Sequence, residues 1–372
     1  MRKTRIIAGF TVLAFLTACT GRSGSSVERQ PSDTVYIDTF YTAMFRMSGE
    51  GYTGGDGTYS VALPDGRTAW IFGDTFIGGV NNDHSRSKQV PRFIRNSLVI
   101  EGEGAPKTLF TGSGAEKASF VIPPLSATGG KKVSEDSVWY WPGDGLIENG
   151  QFKLFLSEFV QLDTGMWDFS WTGSWVAAFN LPSFSLASID PLPRVKEAGI
   201  HFGHAVCETD EFTYVYGAGG GKPNAARYTP GEVLGSWEYF TGEGWTADPS
   251  LARPMAEIQG SEQFSVFREG ESYILITQMG GFSDEICSFT SATPFGPWGN
   301  RKLLYKTPLP RESNMNIFTY NAVAHPEKTR NGELLISYNM NSMALEDHYR
   351  DESIYRPRFI RVPLKMILES AE

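Results

Sequence analysis

Five segments of the sequence each open with a polar residue just ahead of an apolar run, and these residues are Asp56, Asp144, His204, Glu262 and Asn321. In four of the segments a second polar residue stands where the next apolar run ends: Asp74, Glu158, Gln278 and Asn339. Carboxylates within about 4–6 Å of one another raise each other's pKa, so one stays protonated while its neighbour is ionised. An acid and a base of this kind, flanking a glycosidic bond, are what hydrolysis of that bond requires.

The candidate catalytic carboxylates are Asp56, Asp74, Asp144 and Glu262. The candidate substrate-binding residues are the other polar residues of the pattern and two nearby tryptophans: His204, Glu158, Trp141, Trp167, Asn321 and Gln278. Asp56 and Asp144 each stand between two glycines, where a carboxylate can instead cap the backbone of a turn. The same placement in two segments favours the functional interpretation over the structural one.

Tryptophans cluster around the second acidic segment, at positions 139, 141, 167, 171 and 175. Exposed indoles stack on the faces of sugar rings, whereas buried ones fill gaps between packed sheets. Trp141 and Trp167 stand next to the acid-bearing loops. For these two tryptophans, sugar binding and the filling of gaps between sheets are equally weighted interpretations. His204 offers a metal ligand, but a lone histidine is more often a hydrogen-bonding core residue. We therefore predict no cofactor and no catalytic metal, and leave room for a structural cation on the axis of the fold.

The elements that must position these residues are five strand–turn–strand units, which start at positions 56, 144, 204, 262 and 321. The successive intervals are 88, 60, 58 and 59 residues, and the longer first interval contains an insertion at 101–137. Aromatic residues at 13% together with 40 glycines and 21 prolines favour short strands and tight turns. Such a recurrence predicts an all-β fold, a five-bladed β-propeller with a central funnel, rather than the alternative β-sandwich.

The remaining strands of each blade follow the same pattern. Candidate outer strands lie at 96–100, 175–179, 226–228, 286–289 and 359–362, and residues 34–45 supply a strand that closes the ring. In a propeller the innermost strands all run in one direction along the axis, and each second strand returns antiparallel. The first residues of the inner strands and the last residues of the second strands should therefore meet at one mouth of the funnel.

The net charge restricts the binding partners of the protein, and the cysteine count restricts its disulfide bonds. The chain has 372 residues and a formal net charge of −9, which disfavours nucleic acid because phosphate binding needs a basic face. Three cysteines are too few for a disulfide scaffold. For Cys207 and Cys287, buried free thiols and one disulfide have equal weight. We expect a monomer whose partner is an oligosaccharide or polysaccharide.

The N-terminus has the features of an export signal. Basic residues at 2, 3 and 5 precede an apolar run at 6–16, which is too short to span a bilayer, and small residues then lead to Cys19. This pattern resembles a bacterial lipobox, with cleavage before Cys19 and lipidation of that cysteine; an ordinary secretory signal is the alternative. Several acyl chains hold a protein stably at about 0.8 kcal/mol per buried CH₂. The predicted organisation is a signal peptide at 1–18, a flexible tether at 19–33 and the propeller at 34–372, in a lipoprotein of the outer membrane or cell surface.

Two segments carry a resemblance to a known family. Residues 54–61 (GGDGTYSV) and 70–76 (WIFGDTF) resemble the opening blade of bacterial propellers labelled as domains of unknown function, some of which are classed as endo-D-arabinanases. Residues 325–327 (HPE) and 333–341 (ELLISYNMN) are similar to their last blade. The resemblance covers about 34–364 and implies a five-bladed glycosidase.

More distantly, the plan is similar to the arabinanase and β-fructosidase enzymes, which place acids from the first three blades in the funnel. The resemblance implies that Asp56 and Asp144 match the first two of these acids. The third blade differs, because it offers His204 instead of an acid. A general acid must then come from elsewhere, and Asp74 and Glu262 are the candidates.

We therefore expect a glycoside hydrolase acting on an arabinan-like or other furanose-containing glycan. Asp56 is the favoured carboxylate for activating water or attacking the sugar, with Asp74 as its partner. Two other classes stay open: a surface lipoprotein that binds glycan without cleaving it, and a propeller with a structural or partner-binding role. The sequence leaves open the identity of the sugar, endo or exo action, and retention or inversion at the anomeric carbon.

Overall fold

The fold is known from a computed structural model, which describes residues 32–49, 51–88, 93–124, 137–165, 167–192, 194–308 and 316–369. Strands dominate these residues, and no helix among them is longer than six residues. The all-β class predicted from the sequence is confirmed. The predicted signal peptide and most of the tether, including Cys19, lie outside the described residues.

The strands have the following bounds, in chain order: β1 (Tyr36–Ile37), β2 (Tyr52–Gly55), β3 (Tyr59–Ala62), β4 (Thr68–Phe72), β5 (Thr75–Ile77), β6 (Phe93–Ile94), β7 (Ser97–Glu101), β8 (Lys107–Leu109), β9 (Val138–Glu148), β10 (Gln151–Gln161), β11 (Phe169–Asn180), β12 (Ser185–Pro191), β13 (His201–Glu208), β14 (Thr213–Gly219), β15 (Lys222–Tyr228), β16 (Trp237–Phe240), β17 (Trp245–Thr246), β18 (Ser265–Glu269), β19 (Ser272–Gln278), β20 (Glu285–Ser291), β21 (Gly299–Lys306), β22 (Ile317–Arg330), β23 (Glu333–Ser342) and β24 (Arg358–Pro363). The α-helices are α1 (Thr39–Met44), α2 (Val195–Ala198), α3 (Leu345–Arg350) and α4 (Leu364–Leu368), and 3₁₀ turns lie at Gly114–Glu116 and Pro249–Leu251.

Five antiparallel sheets follow one another along the chain, with strand orders β3-β4-β7-β8, β9 to β12 in sequence, β13 to β17 in sequence, β18 to β21 in sequence, and β22-β23-β24-β1. The second, third and fourth sheets are meanders of sequential strands, whereas β5 and β6 interrupt the first sheet between β4 and β7, and the last sheet takes its outer strand β1 from the N-terminal side of the chain. All five hairpins predicted from the sequence form the first two strands of a sheet. The predicted outer strands form the third strand of each sheet.

The first strands of the five sheets contact one another in a cycle, because β3 contacts β9, β9 contacts β13, β13 contacts β18, β18 contacts β22, and β22 contacts β3. The strand predicted within residues 34–45 is β1, which pairs with β24 and so adds an N-terminal strand to the last sheet. The two ends of this domain are thereby held in one sheet. The arrangement is β-propeller-like.

Residues buried on both faces of the strands explain the continuous apolar runs of the sequence. All five residues of β4 are buried, as are five of the six residues of β24. Aromatic rings fill the space between the first and last sheets, where Phe45 stacks on Phe359 with ring centroids 5.5 Å apart. Cys207 and Cys287 are both buried and free, so the open question of a disulfide is resolved in favour of thiols.

A sixth sheet has three strands in the order β2-β5-β6. Its strands alternate along the chain with those of the first sheet, since β2 precedes β3, and β5 and β6 lie between β4 and β7. The buried Arg86 guanidinium fixes this sheet to the chain between α3 and β24, since its Nη atoms donate to the backbone carbonyls of Thr53, Glu352 and His348 at 2.6–2.9 Å. The chain around Tyr355 is thereby held beside β2. Among the described residues, no helix is long and apolar enough to cross a membrane.

Candidate active site

A cavity of about 920 Å³ opens where the N-terminal parts of the inner strands meet. Its volume is at the upper end of the range typical of small-molecule sites. Every one of the five sheets contributes to the lining, which includes Asp56, Asp74, Trp141, His204, Glu262, Tyr320 and Asn321. This cavity is called the main cavity below.

Asp56 and Asp74 occupy neighbouring positions on two antiparallel strands of the main cavity. β2 pairs with β5 through Gly55 and Thr75. Asp56 directly follows Gly55 and Asp74 directly precedes Thr75, so the two aspartates stand opposite each other at the end of this pairing. The Asp56 amide lies 3.4 Å from the Asp74 carbonyl oxygen, and the Asp56 carbonyl accepts from the Gly73 amide at 2.8 Å. Side chains of directly opposed residues lie about 5 Å apart at Cβ, so the two carboxyl groups share one face.

Gly73 makes this close pairing sterically possible. A Cβ at Gly73 would lie 2.9 Å from Oδ1 of Asp56, which is closer than a methyl group tolerates. The glycine of the FGDTF sequence thus leaves no side chain at position 73 that would collide with the Asp56 carboxylate. The glycine has a packing role beside the carboxylate.

Asp56 is surrounded by phenol groups. The Tyr320 hydroxyl donates to Oδ2 of Asp56 at 2.5 Å, and Tyr355 hydrogen-bonds the same side chain. Burial raises the pKa of Asp56 to about 6, although these hydrogen bonds favour the ionised form and limit the increase. At neutral pH the Asp56 carboxylate is mostly ionised.

Asp74 carries the higher pKa of the two. Burial raises its pKa to about 7, the Arg95 guanidinium opposes that increase, and the nearby charge of Asp56 adds to it. Oδ1 of Asp74 accepts from the Trp141 indole N–H at 2.8 Å, and Nη1 of Arg95 lies 3.5 Å away. Both carboxyl groups therefore titrate near neutral pH, and burial beside the charge of Asp56 favours the protonated form of Asp74.

Glu262 has the opposite electrostatic character. Nδ1 of His201 lies 2.6 Å from Oε1 of Glu262, and Nε2 of His204 lies 3.5 Å from the same oxygen. Burial would raise the pKa of Glu262, but the two histidines outweigh it and hold that pKa well below the usual value. Glu262 lines the main cavity as expected, yet it is ionised. The expectation that Glu262 serves as the general acid is therefore not supported by its environment.

Asp144 does not join Asp56 and Asp74, which corrects the prediction of one shared funnel. It lines a second cavity of about 380 Å³, together with Glu208 and Glu327. Its carboxylate accepts from the amides of Gly145 at 2.8 Å and Val206 at 3.0 Å, while burial raises its pKa to about 7. The physical reason is strand register: β9 begins at Val138, so Asp144 lies well inside the strand whereas Asp56 precedes β3.

Glu158 and Gln278 also lie outside the lining of the main cavity, contrary to the prediction. In β10 the neighbours Ser157 and Phe159 line the cavity, so alternation along a strand turns Glu158 to the other face, where Thr172 donates to it at 2.8 Å. Gln278 is fully buried and donates to the Thr319 hydroxyl at 2.9 Å and to the Ser283 carbonyl. Both side chains therefore have a structural role, because each makes hydrogen bonds to a neighbouring strand or loop.

The other predicted binding residues line the main cavity. Asn321 has a left-handed backbone (φ 53°), and its side-chain Nδ2 donates to Oε1 of Gln263 at 3.0 Å. Trp141 packs edge-on against Phe169, and Trp167 at the rim is 61% exposed. Phe282, from the fourth sheet, is a second exposed aromatic residue of the lining. Aromatic surface and a few polar groups are what recognition of sugar rings needs.

Three residues at the acid pair were missed by the sequence reasoning: Tyr320, Tyr355 and Arg95. Tyr320 directly precedes Asn321, so its place in the repeat was a usable signal. Tyr355 lies between α3 and β24 with a left-handed backbone (φ 83°), a conformation that non-glycine residues adopt only when the surrounding structure imposes it. Nothing in the local pattern indicates its contact with Asp56.

The comparison with protein families decides the membership of the chain. A family model described as Domain of unknown function (DUF5005) matches residues 38–364. The chain belongs to the DUF5005 family. The DUF5005 match includes both cavities and every residue of the acid pair and its surroundings. No curated protein matches the sequence.

Several solved structures are similar to this DUF5005 domain. A crystal structure of a "putative hydrolase" from Bacteroides ovatus has a TM-score of 0.74 and 25% identity, over 88% of this chain and 90% of that chain. A GH43_1 enzyme from Xanthomonas citri complexed with xylotriose has a TM-score of 0.48 and 14% identity, over 86% of this chain and 91% of that chain. A xylan β-1,4-xylosidase from Bacillus halodurans has a TM-score of 0.48 and 12% identity, over 84% of this chain and 53% of that chain.

Proposed function

We propose that this DUF5005 domain is a glycoside hydrolase whose catalytic groups are Asp56 and Asp74. The observation that carries the proposal is the placement of these two carboxyl groups side by side in a large aromatic cavity, with pKa values of about 6 and about 7. The structural similarity to the Bacteroides ovatus protein supports a hydrolase. The cyclic contacts of the inner strands support a propeller of five blades.

Asp74 is the proton donor in this proposal. Its pKa of about 7 leaves a large fraction of Asp74 protonated at neutral pH, and the protonated group gives its proton to the glycosidic oxygen as the bond breaks. The Trp141 indole N–H and the Arg95 guanidinium then stabilise the carboxylate that is left. Burial thus favours the protonated form before the reaction, and the two hydrogen-bond donors stabilise the ionised form after it.

Asp56 is the carboxylate that acts at the anomeric carbon. It either attacks the sugar or removes a proton from an attacking water, and both roles need the ionised form. The hydroxyls of Tyr320 and Tyr355 favour that form and fix the orientation of the side chain. Asp144 and Glu262 have no proton-transfer role in this proposal.

The substrate is proposed to be an arabinan-like or other furanose-containing glycan. The support is the resemblance of residues 54–61 and 70–76 to the opening blade of propellers that include endo-D-arabinanases. Trp141 lies beside Asp74, and the exposed Trp167 at the rim offers a stacking surface for a further sugar ring. The cavity is large enough for more than one sugar ring.

The test is the appearance of new reducing ends when the purified protein is incubated with arabinans, D-arabinan, fructans and xylan. Asp56→Asn and Asp74→Asn should each lower the rate at least about 10³-fold while glycan binding is kept. Asp65→Asn is the matched control, because Asp65 is exposed in the β3–β4 turn and pairs with Arg67. Full activity in either cavity variant would overturn the assignment.

A glycan-binding protein without catalysis is the second candidate, favoured by the exposed aromatic residues Trp167 and Phe282. Wild-type protein that binds glycans of the panel but releases no reducing ends would support it. Neither binding nor cleavage across the panel would favour a structural or partner-binding propeller.

We further propose that the protein is exported and anchored by a lipid on Cys19. The support is the basic, apolar and small-residue pattern that ends in that cysteine. Mass spectrometry of the N-terminal peptide from the native bacterium should find an acylated Cys19, and Cys19→Ser should release the protein from membranes. An unmodified Cys19 on an otherwise intact chain would contradict this assignment.

A further inference from the structure

Two histidines and a glutamate at the wall of the main cavity form a cluster that the proposed hydrolysis does not use. One ring nitrogen of His201, one of His204 and a carboxylate oxygen of Glu262 all lie within 4.8 Å of one another. His201 begins β13, His204 follows three residues later, and Glu262 precedes β18 in the next sheet. The cluster therefore joins two neighbouring blades.

A bulge in β13 directs both histidines to the same place. Residues three apart in a regular strand point to opposite faces, but the register of β13 with β14 shifts between Phe202 and Ala205. Gly203 within this shift has a φ of 115°, which an L residue adopts only with strain. A Cβ at Gly203 would also lie 2.6 Å from Cβ of Phe155. Two independent constraints thus hold glycine at the position that brings the two imidazoles together.

The Nε2 atom of His204 makes no hydrogen bond among the described residues, and Oε1 of Glu262 lies 3.5 Å from it. The residue is 5% exposed, and its Nε2 atom is buried. The other ring nitrogen, Nδ1, lies 3.4 Å from the Tyr59 hydroxyl. When Nδ1 carries the proton, Nε2 presents its lone pair to Glu262 and the cavity. A buried imidazole nitrogen in this form is available as a metal ligand.

Neighbouring aromatic groups hold both imidazoles in orientation. Trp171 stacks on His201 with ring centroids 4.4 Å apart and planes 30° apart. Tyr59, which contacts His204, is fully buried. Groups that fix the orientation of a metal-binding imidazole strengthen metal binding, because the ring is already turned toward the ion.

We propose that His201, His204 and Glu262 bind one divalent transition-metal ion of the zinc class. Two imidazole nitrogens and one carboxylate oxygen suit zinc, whereas calcium and magnesium prefer ligand sets made of oxygen. Zinc bonds of about 2.0–2.2 Å place tetrahedral donors roughly 3.3 Å apart. The 3.5 Å separation between His204 and Glu262 already fits, and the 2.6 Å contact of His201 must widen by less than about 1 Å.

The fourth coordination position faces the main cavity, because His204 and Glu262 both line it. A water molecule or a hydroxyl group of a bound ligand completes the set. Metal binding at this site is independent of the cleavage chemistry assigned to Asp56 and Asp74.

The experiment is a titration of the full chain, stripped with a chelator, with Co²⁺ followed by visible absorption and with Zn²⁺ followed by calorimetry. One ion should bind per chain, and the intense bands of tetrahedral Co²⁺ should appear. His204→Gln and Glu262→Gln should each weaken binding at least about 100-fold. His201→Gln, at a less buried position, gives a third variant should one of the others fail to fold.

His84→Gln is the matched control, since His84 is an exposed histidine that pairs with Glu352 instead. This variant and the double variant Asp56→Asn/Asp74→Asn should bind the ion as the wild type does. A wild-type protein that binds no ion, or cluster variants that bind it unchanged, would overturn the proposal. Loss of binding in the double aspartate variant would place the ion on the acid pair and would overturn it too.

Discussion

Asp56 and Asp74 face each other across the end of the β2–β5 pairing, with the Asp56 amide 3.4 Å from the Asp74 carbonyl oxygen. The pairing fixes the separation of their Cα atoms through the backbone, and the hydrogen bonds of each carboxyl group then fix the side chains. The partners of each carboxyl group differ, with phenols at Asp56 and an indole and a guanidinium at Asp74. This difference gives the pair its unequal pKa values.

The first prediction is a bell-shaped pH dependence of glycan cleavage. The rate requires Asp56 ionised and Asp74 protonated, and their pKa values are about 6 and about 7. The rate of reducing-end release should therefore be highest between about pH 6 and 7 and should fall on both sides. A rate that keeps increasing up to pH 9 would rule out a protonated Asp74 as the donor.

The second prediction concerns the phenol that donates to Asp56. Tyr320→Phe removes a hydrogen bond that favours the ionised carboxylate, so the pKa of Asp56 should increase. The acidic side of the pH profile should move upward by roughly 1 pH unit, since 1 unit corresponds to about 1.4 kcal/mol. Tyr305→Phe, at a position that does not line the main cavity, should leave the profile unchanged. An acidic side that stays in place would remove Asp56 as its origin.

The third prediction separates the two cavities. Asp144→Asn should leave the cleavage rate within about threefold of wild type, because Asp144 lines the second cavity and the asparagine oxygen can still accept from one of the two backbone amides, Gly145 or Val206, that the carboxylate binds. The measurement is the initial rate on the best substrate of the panel. A loss comparable to that of Asp56→Asn would mean that Asp144 acts on the substrate after all.

The fourth prediction concerns stability. The folded-state pKa of Asp74 is about 7, above the unfolded value, so the folded chain binds more protons between about pH 4 and 7. The free energy of unfolding should therefore decrease as the pH increases through this window, by roughly 3 kcal/mol from this group. Urea unfolding at pH 5 and pH 8 should show a smaller decrease for Asp74→Asn than for wild type. Equal decreases in the two proteins would contradict the raised pKa.

Strand content and hairpin positions could be predicted from the sequence because they depend on local pattern. Apolar runs flanked by turn residues placed all five hairpins and the third strand of each sheet. The cavity location of Asp56 and Asp74 also followed, since both stand at the ends of short strands near tight turns. A strand of four or five residues leaves little room for error in register.

Longer strands defeated the same reasoning. β9 and β10 have eleven residues each, so their apolar pattern is compatible with several first residues. β9 begins at Val138, and this start places Asp144 inside the strand, away from the acid pair. Alternation along β10 likewise turns Glu158 away from the cavity, although its neighbours face it. Register over such lengths is set by contacts with other strands.

Local sequence determined which residues of this protein could form strands and which acids stand beside turns. Tertiary structure decided which of those acids meet, which phenols and indoles touch them, and that His201 and His204 converge on Glu262 through the bulge at Gly203. The physical reason is range: strand and turn preferences act over a few residues. Burial, register and the pKa of a carboxyl group depend on neighbours that can be more than two hundred residues away, as Tyr320 is from Asp56.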